Sequence, residues 1–440
     1  MGTLHNDNCK VDENYQTITC DNYQARNTLF TGGLIWHPIN RRAGHLACSV
    51  CPKETMKMLI VTTAFPRWRD DSRAPFILEA ARAIQQKGVS IKVIAMHSPK
   101  AEVRESWDGI KIYRPRYLPE RFEILRREEG GLPVTWNKGR FSRFAIVPFV
   151  VVNCLAVVKQ AHEVDIIHAN WTLSAGCVWL TKWLHRKPWV VTVHGSDIFL
   201  AGKKPIIRWL TRIVLRGADK VIAVSKALAI EVARLGVPQN SIEVIPDGVD
   251  VKRFHPQTGE RDPIILFVGS FTWVKGGDIL LHAFHEVAQR FSEYRLVMVG
   301  DGPLRNEWEA LAKSLNIAEK VTFTGPLGRN EVADWMRRAK LFVLPSRSEG
   351  LGVVLLEALA SGTPCIGSAV GGIPDIINNE VGCLVGPDDP EILAESIIDQ
   401  LINPIKLAEL SKAAYEKAQR EYDWNQVSWQ LIDQYHSILR

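Results

Sequence analysis

The sequence predicts an α/β protein made of two doubly wound domains. Apolar strands alternate with amphipathic helices in two series, one starting at Met58 and one at Ile264. Such alternation is typical of a parallel sheet that helices cover on both faces. The stretch from Asp247 to Pro263 breaks the alternation and indicates a linker. The 440 residues, 46% of them hydrophobic and 23% charged, are enough for two ordinary globular domains.

The first series begins with a strand and the amphipathic helix Pro75–Gln86, which Lys87 and Gly88 end. Its longest apolar run, Phe144–Val158, is too short to span a bilayer and is predicted to be a core helix of the domain. The strands are predicted at Leu59–Thr63, Ser90–Ala95, Asp165–His168, Trp189–His194, Lys220–Ser225 and Ile242–Pro246.

The second series has the same pattern and ends in helical segments that run from about Pro390 to the C-terminus. Ligands of doubly wound sheets bind beyond the carboxyl ends of the strands, so we expect the site in the cleft between the two domains. The strands are predicted at Ile264–Val268, Arg295–Val299, Val321–Thr324, Leu341–Leu344 and Cys365–Ser368.

Residues 1 to 55 are polar and lack periodicity, so we predict a disordered extension. The eight cysteines form no regular framework, which favours a reducing, cytoplasmic location. Cys48 and Cys51 have a C-x-x-C spacing, but no further ligands complete a zinc module, and no metal site is predicted. The net charge of +6 suits phosphorylated substrates or an anionic membrane, and no nucleic-acid motif accompanies it.

The stretch Pro345–Pro364 combines a strand end, glycines at 350 and 352, and a helix predicted from about Val353 to Ala360. The first amides of a helix have no internal partner, and the helix dipole is positive there, so this stretch predicts an anion site. Two carboxylates, Glu349 and Glu357, flank the helix start. The helical neighbours of Glu357 are apolar, so we expect it to find a donor such as a sugar hydroxyl or to stay wet at one edge. The pair fits a surface Glu and a loop charge equally well.

Two further glycine loops follow strands of the second series. Gly269–Gly277 places Lys275 at a predicted helix start, which suits a diphosphate but also fits a surface Lys at an ordinary turn. Gly300–Pro303 is either a ligand contact or a simple turn. In the first series, His194 stands at the carboxyl end of a strand and is followed by glycine, a better position for ligand contact than most histidines have.

Glu349 and Glu357, with seven residues between them, resemble the E-x7-E signature of the retaining glycosyltransferases of family GT4. Lys275–Gly276, the H-G-x-D segment His194–Asp197 and the closing Tyr422–Trp424 match the same family in the same order, from about Met58 to the C-terminus. The resemblance implies the GT-B fold. Within the family, the chain most resembles the bacterial surface-polysaccharide branch, of the teichuronic-acid glycosyltransferase kind.

The resemblance divides the chain into an acceptor-binding domain (56–255), a nucleotide-sugar-binding domain (256–420) and a last helix (421–440) that crosses back to the first domain. It implies a nucleotide-diphosphate sugar as donor, a glycan or lipid-linked acceptor, and no cofactor. The implied catalytic residues are Glu349, Lys275 and His194. The implied donor-binding residues are Glu357, Gly350, Leu351, Gly352, Val353, Gly300, Gly302 and Arg347.

Two positions depart from the family pattern. Ser270 stands where many members have an arginine, so Arg347 is a candidate for the missing diphosphate cation, although Lys275 with the helix amides could suffice. Arg73–Ala74 stands where glycine is common. Arg67 and Arg73 in this first loop are candidates for holding an anionic acceptor, and a merely exposed basic loop is the equal alternative.

Two other functions share the fold and the donor. A nucleotide-sugar epimerase would need acid and base groups around the sugar and no acceptor. A catalytically silent sugar-nucleotide binding protein would need neither, but the presence of Lys275, Glu349 and Glu357 argues against it.

The segment Lys100–Arg143 mixes basic residues with Trp107, Tyr113, Tyr117 and Trp136. This composition suits an anionic headgroup surface, and a solvated face with aromatics in the core is nearly as good an explanation. We therefore expect peripheral contact with the inner face of the plasma membrane as one alternative.

We expect a chain that begins at Met56 or Met58 to fold and keep its activity, because residues 1 to 55 cannot bury a core of their own. Expression of the shortened and the full chain, followed by comparison of soluble yield and activity, tests this. Loss of soluble protein on truncation would refute the expectation.

Overall fold

The computed structural model describes residues 9–11, 17–20, 23–26, 55–69, 71, 73–123, 125 and 140–439. The chain divides into two units, Met1–Lys53 and Glu54–Arg440. In the first unit three short strands, β1 (Cys9–Val11), β2 (Thr17–Cys20) and β3 (Tyr23–Arg26), pair in antiparallel fashion. These strands differ from the disordered extension that the lack of periodicity predicted for residues 1 to 55. The rest of the predicted extension, including Cys48 and Cys51, lies outside the described residues.

The second unit contains two sheets, each between layers of helices. Its strands are β4 (Lys57–Thr62), β5 (Ser90–Ala95), β6 (Arg104–Trp107), β7 (Ile110–Tyr113), β8 (Ile166–Asn170), β9 (Trp189–Val193), β10 (Lys220–Ala223), β11 (Ile242–Val244), β12 (Asp262–Val268), β13 (Arg295–Val299), β14 (Val321–Gly325), β15 (Ala339–Leu344), β16 (Cys365–Ser368) and β17 (Gly382–Val385).

The helices of the first sheet's domain are α1 (Pro75–Gln86), α2 (Arg140–Ala161), α3 (Thr172–His185), α4 (Ser196–Lys203), α5 (Pro205–Arg216) and α6 (Lys226–Arg234). Those that follow are α7 (Gly277–Arg290), α8 (Arg305–Ser314), α9 (Arg329–Arg338), α10 (Val353–Ala360), α11 (Ile373–Ile376), α12 (Pro390–Leu401), α13 (Pro404–Lys417) and α14 (Trp424–Leu439).

The strand orders confirm the predicted class of two doubly wound α/β domains. The first sheet has the order β11-β10-β9-β8-β4-β5-β7-β6 and the second the order β14-β13-β12-β15-β16-β17. All pairs of the second sheet are parallel. The first sheet differs from the fully parallel prediction at one edge, where β6 and β7 form an antiparallel hairpin. Tight turns allow only antiparallel neighbours, and the turn at Asp108–Gly109 joins these two strands.

The two faces of the first sheet pack against different helices because successive strand residues point to opposite faces. Leu59 and Val61 of β4 share a core with α2, α3 and α5. Met58 and Ile60 pack on the other side, against α1 and the C-terminal helix α14. The last helix therefore contributes to the core of the first domain.

Helix α2 differs from the core helix that its apolar sequence predicts. Ala145, Phe149 and Val157 are buried, but Phe144 and Leu155 are 72% and 66% exposed. The stretch Phe144–Ala161 is long and apolar enough to cross a membrane, with a mean hydropathy of 1.9, and only 33% of it is buried. One side of α2 covers the sheet, so it lies along the domain and presents its other apolar side outward.

Two alternatives were open for the Lys100–Arg143 segment, an aromatic membrane-binding surface and a solvated face with aromatics in the core. For the residues that the structure describes, the first of these predictions is wrong. Trp107 and Tyr117 are buried, and Tyr113 is half-buried. Trp107 belongs to the β6–β7 hairpin and stacks on Phe65, so its ring is core rather than surface. Trp136 lies outside the described residues.

The buried His168 in the middle of β8 makes the stability of the protein depend on pH. Its Nδ1 lies 2.8 Å from the Tyr435 hydroxyl and its Nε2 lies 2.7 Å from Thr192 Oγ1. Burial, and to a smaller extent the nearby His194, lowers the pKa of His168 to about 3. Below its unfolded pKa of about 6.5 the unfolded chain binds the proton that the folded chain refuses, so stability falls as the pH drops through this window.

We expect this one group to lower the free energy of unfolding by about 1.4 kcal/mol per pH unit between pH 6 and pH 4. His168→Gln should remove that slope, and denaturant unfolding at a series of pH values measures it. His436→Gln, at an exposed position on α14, is the matched control. A His168→Gln chain with the wild-type slope would contradict the assignment.

Candidate functional site

The loop Pro345–Gly352 joins β15 to α10 at the carboxyl edge of the second sheet. Gly352 has a φ of +93°, a conformation that glycine adopts without strain, and α10 begins at the next residue as the sequence predicts. No side chain caps this helix start. The first amides of α10, beginning with that of Val353, are therefore available to bind an anion. Leu351 is buried, so it offers its backbone rather than its side chain.

A second loop brings Lys275 to the same place. Lys275 ends the short 3-10 turn Trp273–Lys275 after β12. Gly276, with a φ of +65°, packs so closely that a Cβ there would lie 2.1 Å from the carbonyl oxygen of Pro345. This contact places Lys275 Nζ 2.5 Å from Glu349 Oε2. The hydroxyl of Ser346 donates to the same carboxylate oxygen at 3.3 Å.

The two domains meet at Gly350. A Cβ on Gly350 would lie 2.1 Å from the carbonyl oxygen of His194, and one on Gly195 would lie 2.8 Å from the Cα of Gly350. The hydroxyl of Ser225 at the start of α6 donates to the Gly350 carbonyl at 2.8 Å. The glycines therefore allow the Glu349–Gly350 backbone to contact the end of β9, which brings Lys275, Glu349 and His194 into one region.

The ring of His194 is fixed from several sides. Its Nε2 lies 3.0 Å from Asn170 Oδ1, and its Nδ1 lies 3.5 Å from Asp247 Oδ2. The rings of Trp171 and Phe76 lie 4.5 Å and 5.3 Å from it, centroid to centroid. This packing holds the imidazole in one orientation at the cleft.

Gly300 and Gly302 shape the Lys275 loop through their backbones. A Cβ on Gly300 would lie 2.0 Å from the Gly269 carbonyl oxygen, and one on Gly302 would lie 2.5 Å from the Phe271 carbonyl oxygen. The Phe271 amide donates to the Asp301 carbonyl at 2.9 Å. Close backbone packing therefore explains why glycine stands at both positions, without any ligand. The predicted contact of these glycines with the donor stays a prediction.

Glu357 finds the donor that its apolar surroundings predict, but this donor is a protein side chain, and the alternative of a surface Glu is wrong because the residue is buried. The side chain is neither wet nor dependent on a sugar hydroxyl, because Oε1 accepts a hydrogen bond from Arg329 Nη1 at the start of α9. Arg329 Nη2 also donates to Glu79 of α1 at 2.8 Å. Glu79 in turn accepts from Arg253 at 3.4 Å and from the indole of Trp424 at 3.2 Å. This buried cluster joins the two domains with charged hydrogen bonds.

Burial raises the pKa of Glu357, and the charge of Arg329 opposes that shift without reversing it. For Arg329 burial works against the charged form, but the carboxylates of Glu357 and Glu79 outweigh it and raise the pKa of the guanidinium. Arg329 therefore stays charged, and each of its two carboxylates is stabilised by the same cation.

Arg347 is held by acidic side chains near the start of α7. Its Nη1 and Nη2 donate to the two oxygens of Asp278 at 2.9 Å and 2.7 Å, and its Nε donates to Asp388 at 2.5 Å. The guanidinium also stacks 4.7 Å from the Trp273 ring centroid. The simple alternative of an exposed Arg347 is wrong as well, because its side chain is 10% exposed. Its role toward a diphosphate stays a prediction.

Arg67 of the first loop is bound by an acidic side chain of the same loop. Arg67 makes a two-point ion pair with Asp71, at 2.8 Å and 2.9 Å, and lies 4.0 Å from the Trp68 ring centroid. Burial opposes ionisation of Asp71, but the hydrogen bonds and charge of Arg67, with a smaller effect of Arg73, lower its pKa. Ala74 has a φ of +50°, which explains why glycine suits this position. The predicted acceptor role of both arginines stays a prediction.

Sequence reasoning missed Arg329, Glu79, Ser225 and the pair Gly371–Gly372. A Cβ on Gly371 would lie 1.7 Å from the Glu349 carbonyl oxygen, so this turn packs directly against the Pro345–Gly352 loop. The Gly-Gly pair was a readable signal, whereas the ion pair between Arg329 and Glu79 spans 250 positions of the chain and leaves no local pattern. Within the described ranges no three His, Cys, Asp or Glu side chains group as metal ligands do.

Family models match most of the chain. The model described as "Glycosyltransferase Family 4" covers residues 74–253, and the one described as "Glycosyl transferases group 1" covers residues 249–417. N-acetyl-alpha-D-glucosaminyl L-malate synthase from Bacillus anthracis is 30% identical over 352 residues, 73% of this chain and 90% of the relative. D-inositol 3-phosphate glycosyltransferase from Xylanimonas cellulosilytica is 29% identical over 399 residues, 82% of this chain and 90% of the relative.

Solved structures share the fold at low sequence identity. Sucrose-phosphate synthase from Thermosynechococcus elongatus superposes with a TM-score of 0.73 at 23% identity, covering 87% of this chain and 98% of the neighbour. Anabaena HepE in complex with UDP-glucose superposes with a TM-score of 0.67 at 18% identity, covering 87% and 100%. These likenesses show that the two domains form a GT-B fold.

We expect Arg347→Ala to lower stability by about 1–2 kcal/mol, because it removes charged hydrogen bonds to a half-exposed carboxylate. If the Asp278 pair is the main partner, Asp278→Ala and the double variant should complete a cycle with a coupling of about 1 kcal/mol. Denaturant unfolding of the four chains gives the coupling. Additive effects would show that Arg347 acts on another group.

Proposed function

We propose that this chain, which belongs to the family 4 glycosyltransferases, moves a sugar from a nucleotide-diphosphate sugar to a glycan or lipid-linked acceptor with retention of configuration. The transferase class follows from the family. The reaction we assign to it within bacterial surface-polysaccharide synthesis is our inference. The C-terminal domain would bind the donor and the N-terminal domain the acceptor.

The observation that carries this proposal is the convergence of Lys275 and the uncapped start of α10 on Glu349. A diphosphate leaving group gains negative charge as the glycosidic bond breaks. Preformed donors aimed at that charge lower the barrier, because they need no reorganisation during the reaction. Lys275 and the α10 amides are such donors, and UDP or UDP-glucose in the HepE structures supports a nucleotide-sugar donor of this kind.

In the proposed reaction, the acceptor hydroxyl attacks the anomeric carbon on the face from which the diphosphate departs. The bond between the anomeric carbon and the phosphate oxygen breaks, and its electron pair stays on that oxygen. The same oxygen then takes the proton of the acceptor hydroxyl, so the products are the glycosylated acceptor and the nucleoside diphosphate. Lys275 neutralises the departing charge.

Donor binding requires an exchange of partners at Lys275. In the structure its ammonium group is bound to Glu349, at 2.5 Å. The diphosphate would compete for that ammonium group, which frees the Glu349 carboxylate to accept hydrogen bonds from sugar hydroxyls. Glu357 would hold the ribose through the carboxylate oxygen that Arg329 does not bind, since Arg329 is bound to Oε1. His194, fixed by Asn170 and Trp171, would lie beside the donor sugar.

The acceptor side is supported by the first loop. Arg67 and Arg73 are near Asp71, and rearrangement of this loop would present their charges to an anionic acceptor. The names of two relatives contain malate and inositol phosphate, both anionic. A small anionic acceptor is therefore the second candidate beside a lipid-linked glycan. We place the enzyme in the cytoplasm, at the inner face of the plasma membrane.

Turnover of labelled nucleotide sugars tests the proposal. Transfer to an added acceptor, or slow hydrolysis of the donor, supports the transferase, isomerised nucleotide sugar supports the epimerase, and binding without turnover supports the silent binding protein. A thermal-shift screen selects the donor first, because a ligand that binds the folded chain raises its melting temperature.

We expect Lys275→Ala to lower kcat/KM. The corresponding rise in activation free energy should be about 2–4 kcal/mol, the range for loss of one strong transition-state donor. Lys313→Ala, on α8 in the same domain, is the matched control. Steady-state kinetics with the selected donor measures both. A Lys275→Ala enzyme within a few-fold of the control would remove Lys275 from the proposed mechanism.

A further inference from the structure

The N-terminal domain exposes large apolar side chains on one helical layer. Helices α2, α3 and α5 all pack on the same face of the first sheet, so their outward sides point away from the sheet together. We call the exposed apolar residues of these three helices the outer face. They are Phe144, Val147, Val151 and Leu155 on α2, Leu180, Trp183 and Leu184 on α3, and Ile206, Trp209 and Leu210 on α5.

The outer face follows the helical period, so it is a surface rather than a scatter of single side chains. The exposed residues of α2 recur at intervals of three and four, and Trp209 follows Ile206 by three. Trp183 is 87% exposed. Contact between so large an apolar side chain and water is unfavourable in free energy. A contiguous apolar surface of this kind marks an interaction site.

The charges beside the outer face have one sign. The sequences of α2, α3 and α5 contain no Asp or Glu. On α5, Arg208, Arg212 and Arg216 recur every fourth residue and form one stripe next to Trp209. All three arginines are exposed, and none makes an ion pair with a residue that the structure describes. An arginine stripe without acidic partners beside tryptophans is complementary to a surface that is apolar inside and negative at its edge.

We infer that the outer face docks on an anionic lipid bilayer, with Trp183 and Trp209 in the headgroup region and the α5 arginines on lipid phosphates. Tryptophan favours that region because its ring is apolar and its N–H is polar. Basic residues near an anionic membrane surface are attracted to it electrostatically. Helix α2 rests on the surface, since its inner side is part of the protein core.

Helix α3 links this surface to the catalytic cleft. It begins after Trp171, whose ring lies 4.5 Å from His194, and Trp183 stands twelve residues further along the chain. At 1.5 Å per residue, the bilayer surface lies about 18 Å from the cleft along the helix. The sugar end of a lipid-linked acceptor would reach the cleft while its lipid stays in that bilayer. This inference deepens the proposed membrane contact of the transferase, but the docking surface does not depend on donor chemistry.

Vesicle binding tests the inference with the full chain. Sedimentation with vesicles of phosphatidylcholine alone, or with about 30% phosphatidylglycerol, measures the bound fraction in low and high salt. We expect binding to the anionic vesicles that weakens as salt screens the phosphates. Trp183→Ser with Trp209→Ser should reduce the partition coefficient at least about tenfold, because two interfacial side chains are lost.

Trp429→Ser is the matched control, since Trp429 is an exposed tryptophan of α14 on the opposite side of the first sheet. Arg208→Gln with Arg212→Gln should weaken the salt dependence and leave binding of the nucleotide sugar selected by the thermal-shift screen unchanged, which also shows that the variant folds. Failure of the wild-type chain to bind anionic vesicles would overturn the inference. So would equal binding by the double tryptophan variant, or a dimer in solution that those tryptophan changes dissociate. Vesicle binding without turnover of any nucleotide sugar would instead reject only the proposed reaction.

Discussion

The backbone contact between Gly350 and the end of β9 is the constraint on which the site depends. A side chain at Gly350 would overlap the His194 carbonyl at 2.1 Å, so the two domains can meet here only through glycine. The contact fixes the loop that carries Glu349, and the Gly276 contact with Pro345 sets Lys275 against that loop. Close backbone contacts therefore position the charged side chains. On their own, these side chains would populate many rotamers.

Most cations near the cleft are committed to internal carboxylates. Arg347 is bound by Asp278, Arg67 by Asp71, and Arg329 by Glu357 and Glu79. These pairs are half-buried or buried, where loss of one partner leaves a poorly solvated charge. Lys275 differs because its partner, Glu349, would itself contact the donor sugar in the proposed reaction. A bound diphosphate could replace Glu349 at Lys275, and both charges would still be satisfied.

The fold was predictable because strand and helix periods are local patterns, and the strand–glycine–helix pattern placed α10 within one residue. The sequence also identified Lys275, Glu349 and His194, which the structure brings to one region. It did not reveal the partners of the charges. Arg329 meets Glu79 across 250 positions of the chain, and Arg347 meets Asp278 across 69. The outward side of α2 was missed as well, since an apolar helix sequence cannot say which of its sides is covered.

In the proposed reaction, Lys275 passes from Glu349 to the diphosphate when the donor binds. The decisive experiment is titration calorimetry of the Glu349→Gln variant with the nucleoside diphosphate of the donor that the thermal-shift screen selects, because the neutral amide competes for Lys275 far less than a carboxylate does. We expect this nucleoside diphosphate to bind the variant at least as tightly as the wild type, and several-fold more tightly at low salt, while sugar transfer is lost. Weaker binding of the nucleoside diphosphate to Glu349→Gln would overturn the proposed exchange, since it would show that the carboxylate supports diphosphate binding instead of competing with it.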